Sequence, residues 1–207
     1  MVYTEDLKMT TPLYDGADAA IPGQPLPAGT RILNIYVGAT DLPVRPDTPH
    51  IWTVDEANLY LDPDSPLYGG PDLRVLPNFV HDFPADPALL ANNACDAAVD
   101  MGWSDQLGRL LVLDTETLVD RSYVNACDWQ ISQRGFLMMD YGSYQFVLQN
   151  PPVSGGKWGA LLTRYRPSFL PSNLVGQQWQ WGRAWDRSVF SRFVYDNCGV
   201  GPRKARP

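Results

Sequence analysis

Histidine is almost missing from this chain, with only His50 and His81 present. A Ser-His-Asp triad or a multi-histidine metal site therefore has little to draw on. Cysteine is sparse too: Cys95, Cys127 and Cys198 show no CxxC spacing, which disfavours a zinc or redox motif, and an odd count argues against a disulfide framework. Cys95 and Cys127 fall on predicted helix faces and are expected to be small buried apolar groups. No apolar run is long enough to cross a membrane, and the N-terminus lacks the basic-then-apolar signature of a secretory signal. The expectation is synthesis in a cytoplasm, no membrane partner, and delivery by another route if the protein works at a cell exterior. With no glycine-rich phosphate loop and no dinucleotide fingerprint, no cofactor is expected. Glutamate occurs only at Glu5, Glu56 and Glu116, every other acid being Asp, so a Glu at a strand tip is less easily filler.

The net charge of −7 argues against a nucleic-acid partner, since phosphate binding needs a basic face. The one basic cluster, Arg203-Lys204-Ala205-Arg206, reads as a solvated tail. The 207 residues suit one domain with a substantial core. We expect a single domain over 1–207, with an N-terminal arm to about residue 12 and a C-terminal tail from about residue 199.

Apolar runs and helical stripes alternate through the first two thirds. Leu13–Asp18, Ile32–Gly38, Leu73–Asp82, Leu110–Thr117 and Phe136–Gly142 read as strands. Thr53-Val-Asp-Glu56 is a capping box, which gives Glu56 a structural role. Asp86-Pro87 opens a helix with its apolar stripe on Leu90, Ala94, Ala97, Ala98 and Met101, and Gly102 is placed to end it. A further helix carries Tyr123, Cys127 and Ile131 on one face and stops at Gly135. Strand-helix-strand repetition predicts a parallel sheet. Beyond it, Gly159–Tyr165 and Gln177–Trp181 look like strands, with helices short or absent between them. The fold class predicted is α/β, an irregular TIM-like β/α barrel with helices reduced in the C-terminal third.

The most informative segment is Leu110-Leu-Val-Leu-Asp-Thr-Glu-Thr117, a buried strand ending in two acids spaced i, i+2. Alternation sends Asp114 and Glu116 to one side, at the strand end where parallel barrels gather their chemistry. Paired carboxylates suit glycoside hydrolysis, in which one group donates a proton and another carries or stabilises positive charge. Like charges held close also raise one of the two pKa values. Asp15 or Asp18, Asp82 and Asp140 end other strands, where a turn or cap role competes with a substrate contact. His81, beside Asp82, reads as structural. Tyr141, Trp158, Trp179 and Trp181 are candidate sugar-stacking rings, of which one or two are expected to line a cleft and the rest to be core.

The order Tyr14-Asp-Gly-Ala-Asp18, Leu113-Asp-Thr-Glu116, Asp140-Tyr-Gly-Ser143, Lys157-Trp-Gly-Ala160 and Trp179-Gln-Trp181 resembles the family 25 glycoside hydrolase (lysozyme-like) barrel. It is also similar to the glycoside-hydrolase-like barrel domains of actinobacteria and their phages. The resemblance runs from Leu13 to Phe190, and Asp-x-Glu after an apolar strand is its most specific motif. It implies cleavage of the N-acetylmuramic acid to N-acetylglucosamine bond of peptidoglycan. On that basis Glu116 would be the general acid, and Asp114 would orient or stabilise the reacting sugar, with the substrate's acetamido group as a further participant. The first-strand Asp matches Asp15, with Asp18 second, and the last-strand Asp matches Asp186, with Asp196 competing. The first motif departs from the family's Gly-x-Asp-x-Ser, and the loop from Asp41 to Pro49 is unlike a typical lysozyme.

The expected function is therefore a lysozyme-like, glycan-directed domain on bacterial cell-wall polysaccharide, phage-associated and carried to the wall as a virion or tail component. Its expected partners are the wall glycan and other virion proteins. A non-catalytic tail or carbohydrate-binding protein on the same barrel is the rival reading. A metal-dependent phosphodiesterase using the strand-end acids ranks third.

Overall fold

Strand alternation decides this architecture. In β2 (Ile32–Tyr36), Leu33 and Ile35 join the layer packed under helices, while Ile32 belongs to a separate cluster with Leu76, Val112 and Phe190. Two apolar clusters on opposite faces mark a sheet buried on both sides, and here the second cluster fills the inside of a sheet that closes on itself. The computed structural model describes residues 12–19, 21–37, 50–80, 86–100, 110–114, 120–182 and 184–199. In it β1 (Tyr14–Ala19), β2, β3 (Arg74–Val80), β4 (Leu110–Asp114), β5 (Leu137–Ser143), β6 (Lys157–Ala160), β7 (Gly176–Gln180) and β8 (Trp185–Phe190) form a closed barrel in chain order. The irregular TIM-like barrel expected from the sequence is the fold observed.

The first seven strands are parallel, as the repeats imply. β8 is not: it runs antiparallel to both β7 and β1. The turn from Gln180 to Trp185 is too short for a crossover, and parallel strands need a crossover of a dozen or more residues. The strand expected over Gly159–Tyr165 is observed earlier, at Lys157–Ala160. Residues 161 and 163 still donate to the Gln178 and Trp179 carbonyls, but the regular ladder has ended.

The helices form where capping and periodicity place them. In α1 (Val54–Leu61) the Thr53 side chain accepts from the Glu56 backbone, and Glu56 accepts from the Thr53 backbone. α2 (Pro87–Asp100) begins at Asp86, whose carboxylate accepts from the Ala88 N–H, and buries Leu90, Ala94 and Ala98. Met101 and Gly102 lie outside the described residues. α3 (Arg121–Gln133) starts on Asp120, buries Tyr123, Cys127 and Ile131, and ends at Gly135, whose φ of 81° suits the left-handed cap. After β5 the helices shrink to α4 (Tyr144–Gln149) and α5 (Arg192–Asn197). α5 closes the bottom of the barrel, sending Val194 and Cys198 into the inner cluster, and the Tyr195 hydroxyl donates to the Asp72 carbonyl. All three cysteines are free and buried, and burial lifts the Cys95 thiol to about 11 and the Cys127 thiol to about 12. Neither forms a thiolate at neutral pH. No helix among the described residues is long and apolar enough to cross a membrane.

The lower half of the interior is filled by Trp158 and Phe190, whose ring centroids are 5.0 Å apart. Glycine makes room for them. A Cβ on Gly176 would stand 2.6 Å from Phe190 Cδ1, and one on Gly16 would overlap the same ring. Gly16→Ala should therefore destabilise the barrel by ~1–3 kcal/mol, read as a lowered urea midpoint, because Phe190 is ringed by packed neighbours and has nowhere to yield.

Candidate functional site

Going up the barrel, the inward side chain changes from apolar to polar on strand after strand. Ile32 gives way to Asn34 and Tyr36, Leu76 to Asn78, Val112 to Asp114, and Met139 to Tyr141. On antiparallel β8 the order reverses, and Asp186 and Ser188 precede Phe190. The carboxyl ends of β1–β7 and the amino end of β8 thus share one polar mouth. Register puts Asp18 opposite both Asn34 and Asp186, and Asp114 opposite Tyr141.

Two hydrogen-bonded chains organise this mouth. The Tyr36 hydroxyl donates to Asp114 Oδ2 at 2.9 Å. Burial first, and then the negative charge of Asp114 and of Asp18, holds the Tyr36 phenol well above its ordinary range, so it remains a fixed donor. Across the mouth, the Tyr141 hydroxyl donates to Gln178 Oε1, and the Gln178 side chain in turn bonds Asp186. The Gly182 N–H donates to Asp186 Oδ1 at 3.0 Å. Burial raises the Asp186 carboxyl above the usual carboxylate range, opposed by the Gly182 and Gln178 hydrogen bonds. Among the described residues, the buried side-chain polar atoms of Asn34, Asn78 and Ser188, near the acids, have no hydrogen-bond partner.

Several sequence expectations need correction. Asp15 points out of the barrel, where Arg166 Nε pairs with it at 2.6 Å, so the inward acid of β1 is Asp18. Alternation explains the swap, since Gly16 and Asp18 share the inner face and Asp15 does not. Asp140 also faces out: it accepts from Asn150 Nδ2 at 2.9 Å and lies beside Lys157, away from the mouth. Trp158 is buried low in the barrel with its ring 4.2 Å from that of Tyr141, and so supports the site without lining it. Trp179 faces the outer layer, where the Arg187 guanidinium sits 5.5 Å from its ring centre.

Other candidates do reach the mouth. Asp114 faces inward and keeps 7% exposure. Asp186 lies inside the mouth, whereas its competitor Asp196 is at the opposite end, paired with Arg192 on α5. Tyr141 lines the mouth, and Trp181 stands 65% exposed on the β7–β8 turn at its rim. Glu116, His81 and Asp82 lie outside the described residues. Sequence reasoning overlooked Tyr36, Asn34, Asn78 and Gln178. For Tyr36, Asn34 and Asn78 the signal was available, because each is a polar group at an inward position of a largely apolar strand, whereas Gln178 sits among the other glutamines of β7. Among the described residues, no group of three or more His, Cys, Asp or Glu side chains is placed to hold a metal ion.

The fold is shared with a crystal structure of an uncharacterized B. stearothermophilus protein, with a TM-score of 0.62. The two chains are 17% identical, and the match covers 89% of this chain and 99% of the other. At that identity the likeness establishes the barrel and nothing of the chemistry. No family model matches the chain, and no curated protein matches it.

The Asp186 carboxyl gives a pH test. Its folded pKa is raised by burial, so its contribution to stability is fully present below the unfolded value and is lost as pH climbs through the folded one. Asp186→Asn removes that loss while keeping an acceptor for Gly182. The variant should show a higher urea midpoint than the parent at about pH 7, with the difference closing near pH 3. A constant offset at both pH values would contradict the assignment.

Proposed function

We propose that this chain is a glycan-directed, lysozyme-like barrel acting on bacterial cell-wall polysaccharide and carried to the wall with a phage particle. One observation carries the reading: Asp18, Asp114 and Asp186 face into the same end of one closed barrel, with tyrosines beside them and an exposed Trp181 at the rim. The order of sequence motifs supplies the substrate class.

In this reading Glu116, two residues beyond Asp114, protonates the glycosidic oxygen as the bond to the sugar C1 breaks. Asp114, held by the Tyr36 hydroxyl, stabilises the positive charge that develops on the ring. Water then adds at C1, and its proton returns to Glu116. Asp18 and Asp186 add negative charge around the same mouth, and the raised Asp186 carboxyl is a second group able to hold a proton. Preorganised hydrogen bonds of this kind act where charge develops and are strongest away from bulk water.

A second reading, a non-catalytic virion or carbohydrate-binding module on the same barrel, is favoured by the small exposed fraction of Asp114. Turnover separates the two. Purified protein incubated with peptidoglycan should release new reducing ends, and Glu116→Gln or Asp114→Asn should lower the rate by ~10²–10⁴-fold. Equal activity in parent and Glu116→Gln would remove Glu116 from the mechanism. Absence of turnover in the parent, with glycan binding intact, would favour the binding module. Tyr36→Phe keeps the ring and loses the donor to Asp114, so it should cost ~1–3 kcal/mol of stability and about tenfold in rate.

A further inference from the structure

The flank built by β6, β7 and β8 has no long helix over it. The crossover at residues 161–175 lies there instead. The Thr163 N–H donates to the Trp179 carbonyl, and the Arg166 guanidinium reaches Asp15 Oδ1 and the Leu13 carbonyl at β1. This route leaves large rings in solvent: Tyr165 is 70% exposed and Phe169 75%. Trp181 stands two residues beyond Trp179, whose carbonyl takes the Thr163 N–H, and its neighbour Gly182 donates to Asp186 at the mouth.

Charge is skewed in the same place. On a chain of net charge −7, Arg164 and Arg187 are cations of this flank with no ion pair among the described residues, whereas Arg166 pairs with Asp15, Lys157 lies beside Asp140 and Arg192 pairs with Asp196 at the far end. Asp186, the one acid between residues 157 and 192, is turned inward. The Arg164 guanidinium lies 5.3 Å from the Tyr165 ring centre. Guanidinium groups beside exposed ring faces suit a ligand that is anionic and also offers apolar sugar faces.

We propose that this flank is a second, non-catalytic contact surface for a carboxylate-bearing glycan strand. Its sugar rings stack on Tyr165, Phe169 and Trp181, and its carboxylates pair with Arg164 and Arg187. The identity of the polymer rests on the wall-glycan reading above. The acidic remainder of the chain repels a polyanion, so the strand is steered to this side and then past the rim.

The test uses the full chain carrying Glu116→Gln, so that turnover does not consume the ligand. Co-sedimentation is measured with purified, protein-free cell-wall sacculi and with chitin, an uncharged polymer of related sugars. The expected result is retention on sacculi that weakens as salt is raised, and weaker retention on chitin. Arg164→Ala and the pair Tyr165→Ala/Phe169→Ala should each weaken binding by about tenfold. These side chains are exposed, so an unchanged circular dichroism spectrum will show that the fold is kept. Equal binding by the variants, equal retention on chitin, or no retention on either polymer overturns the proposal. Failure of the hydrolytic reading would appear elsewhere, as absent product release by the parent chain, and would leave the retention measurements unaffected.

Discussion

Closure of the sheet is the constraint from which the other features follow. An eight-stranded barrel has no edge, and its interior holds only as many side chains as fit the tube. Every second residue of every strand is committed to that interior, so each must be packed or hydrogen-bonded there. Phe190 and Trp158 occupy the lower half so fully that Gly16 and Gly176 have no room for a methyl group. Above that plug the same inward positions carry Asp, Asn, Gln and Tyr. The packed lower half holds the backbone spacing that lets the upper half remain polar.

The division of labour runs through the outer layer as well. α1, α2 and α3 cover β2 to β5 with a continuous apolar cluster that includes Ile35, Val75, Leu111 and Met138. β8, joined antiparallel by a short turn, carries its acid at the mouth because its chain direction is reversed. A parallel β8 would have put Asp186 at the bottom beside α5 and Phe190 at the mouth. The reversal therefore places a third carboxylate opposite Asp18 and Asp114, and the turn that makes it possible supplies the Gly182 N–H that binds it.

Much of this was legible in the sequence. The capping box at Thr53–Glu56, the Asp86-Pro87 helix start and the apolar stripe of α3 act within one or two turns, so local pattern located them. The buried strand ending at Asp114 was equally plain. Asp15 and Asp140 were misplaced because strand-end position alone does not fix the face. A shift of one residue turns a side chain from the mouth to the outer layer, and only pairing across the closed barrel settles the register. Tyr36, Asn34 and Asn78 escaped notice for a related reason, since single polar residues in an apolar strand acquire meaning only when several strands bring them together.

The polar upper interior is costly, and that cost bears on what the barrel is for. Burying an amide or hydroxyl costs free energy that a hydrogen bond must offset, and Asn34, Asn78 and Ser188 find no partner among the described residues. Leu or Val at those positions would pack as their neighbours Ile32, Leu76 and Val112 do. Asp186 adds a further penalty by holding a carboxyl where burial opposes its charge. A barrel that served only as a spacer would have no use for either feature. Local departures from the rules of a well-packed core tend to collect where a protein acts on a ligand. Here Asn34, Asn78, Ser188 and Asp186 place them at one end of the tube, on β2, β3 and β8, above a plug that is apolar except for the buried indole N–H of Trp158.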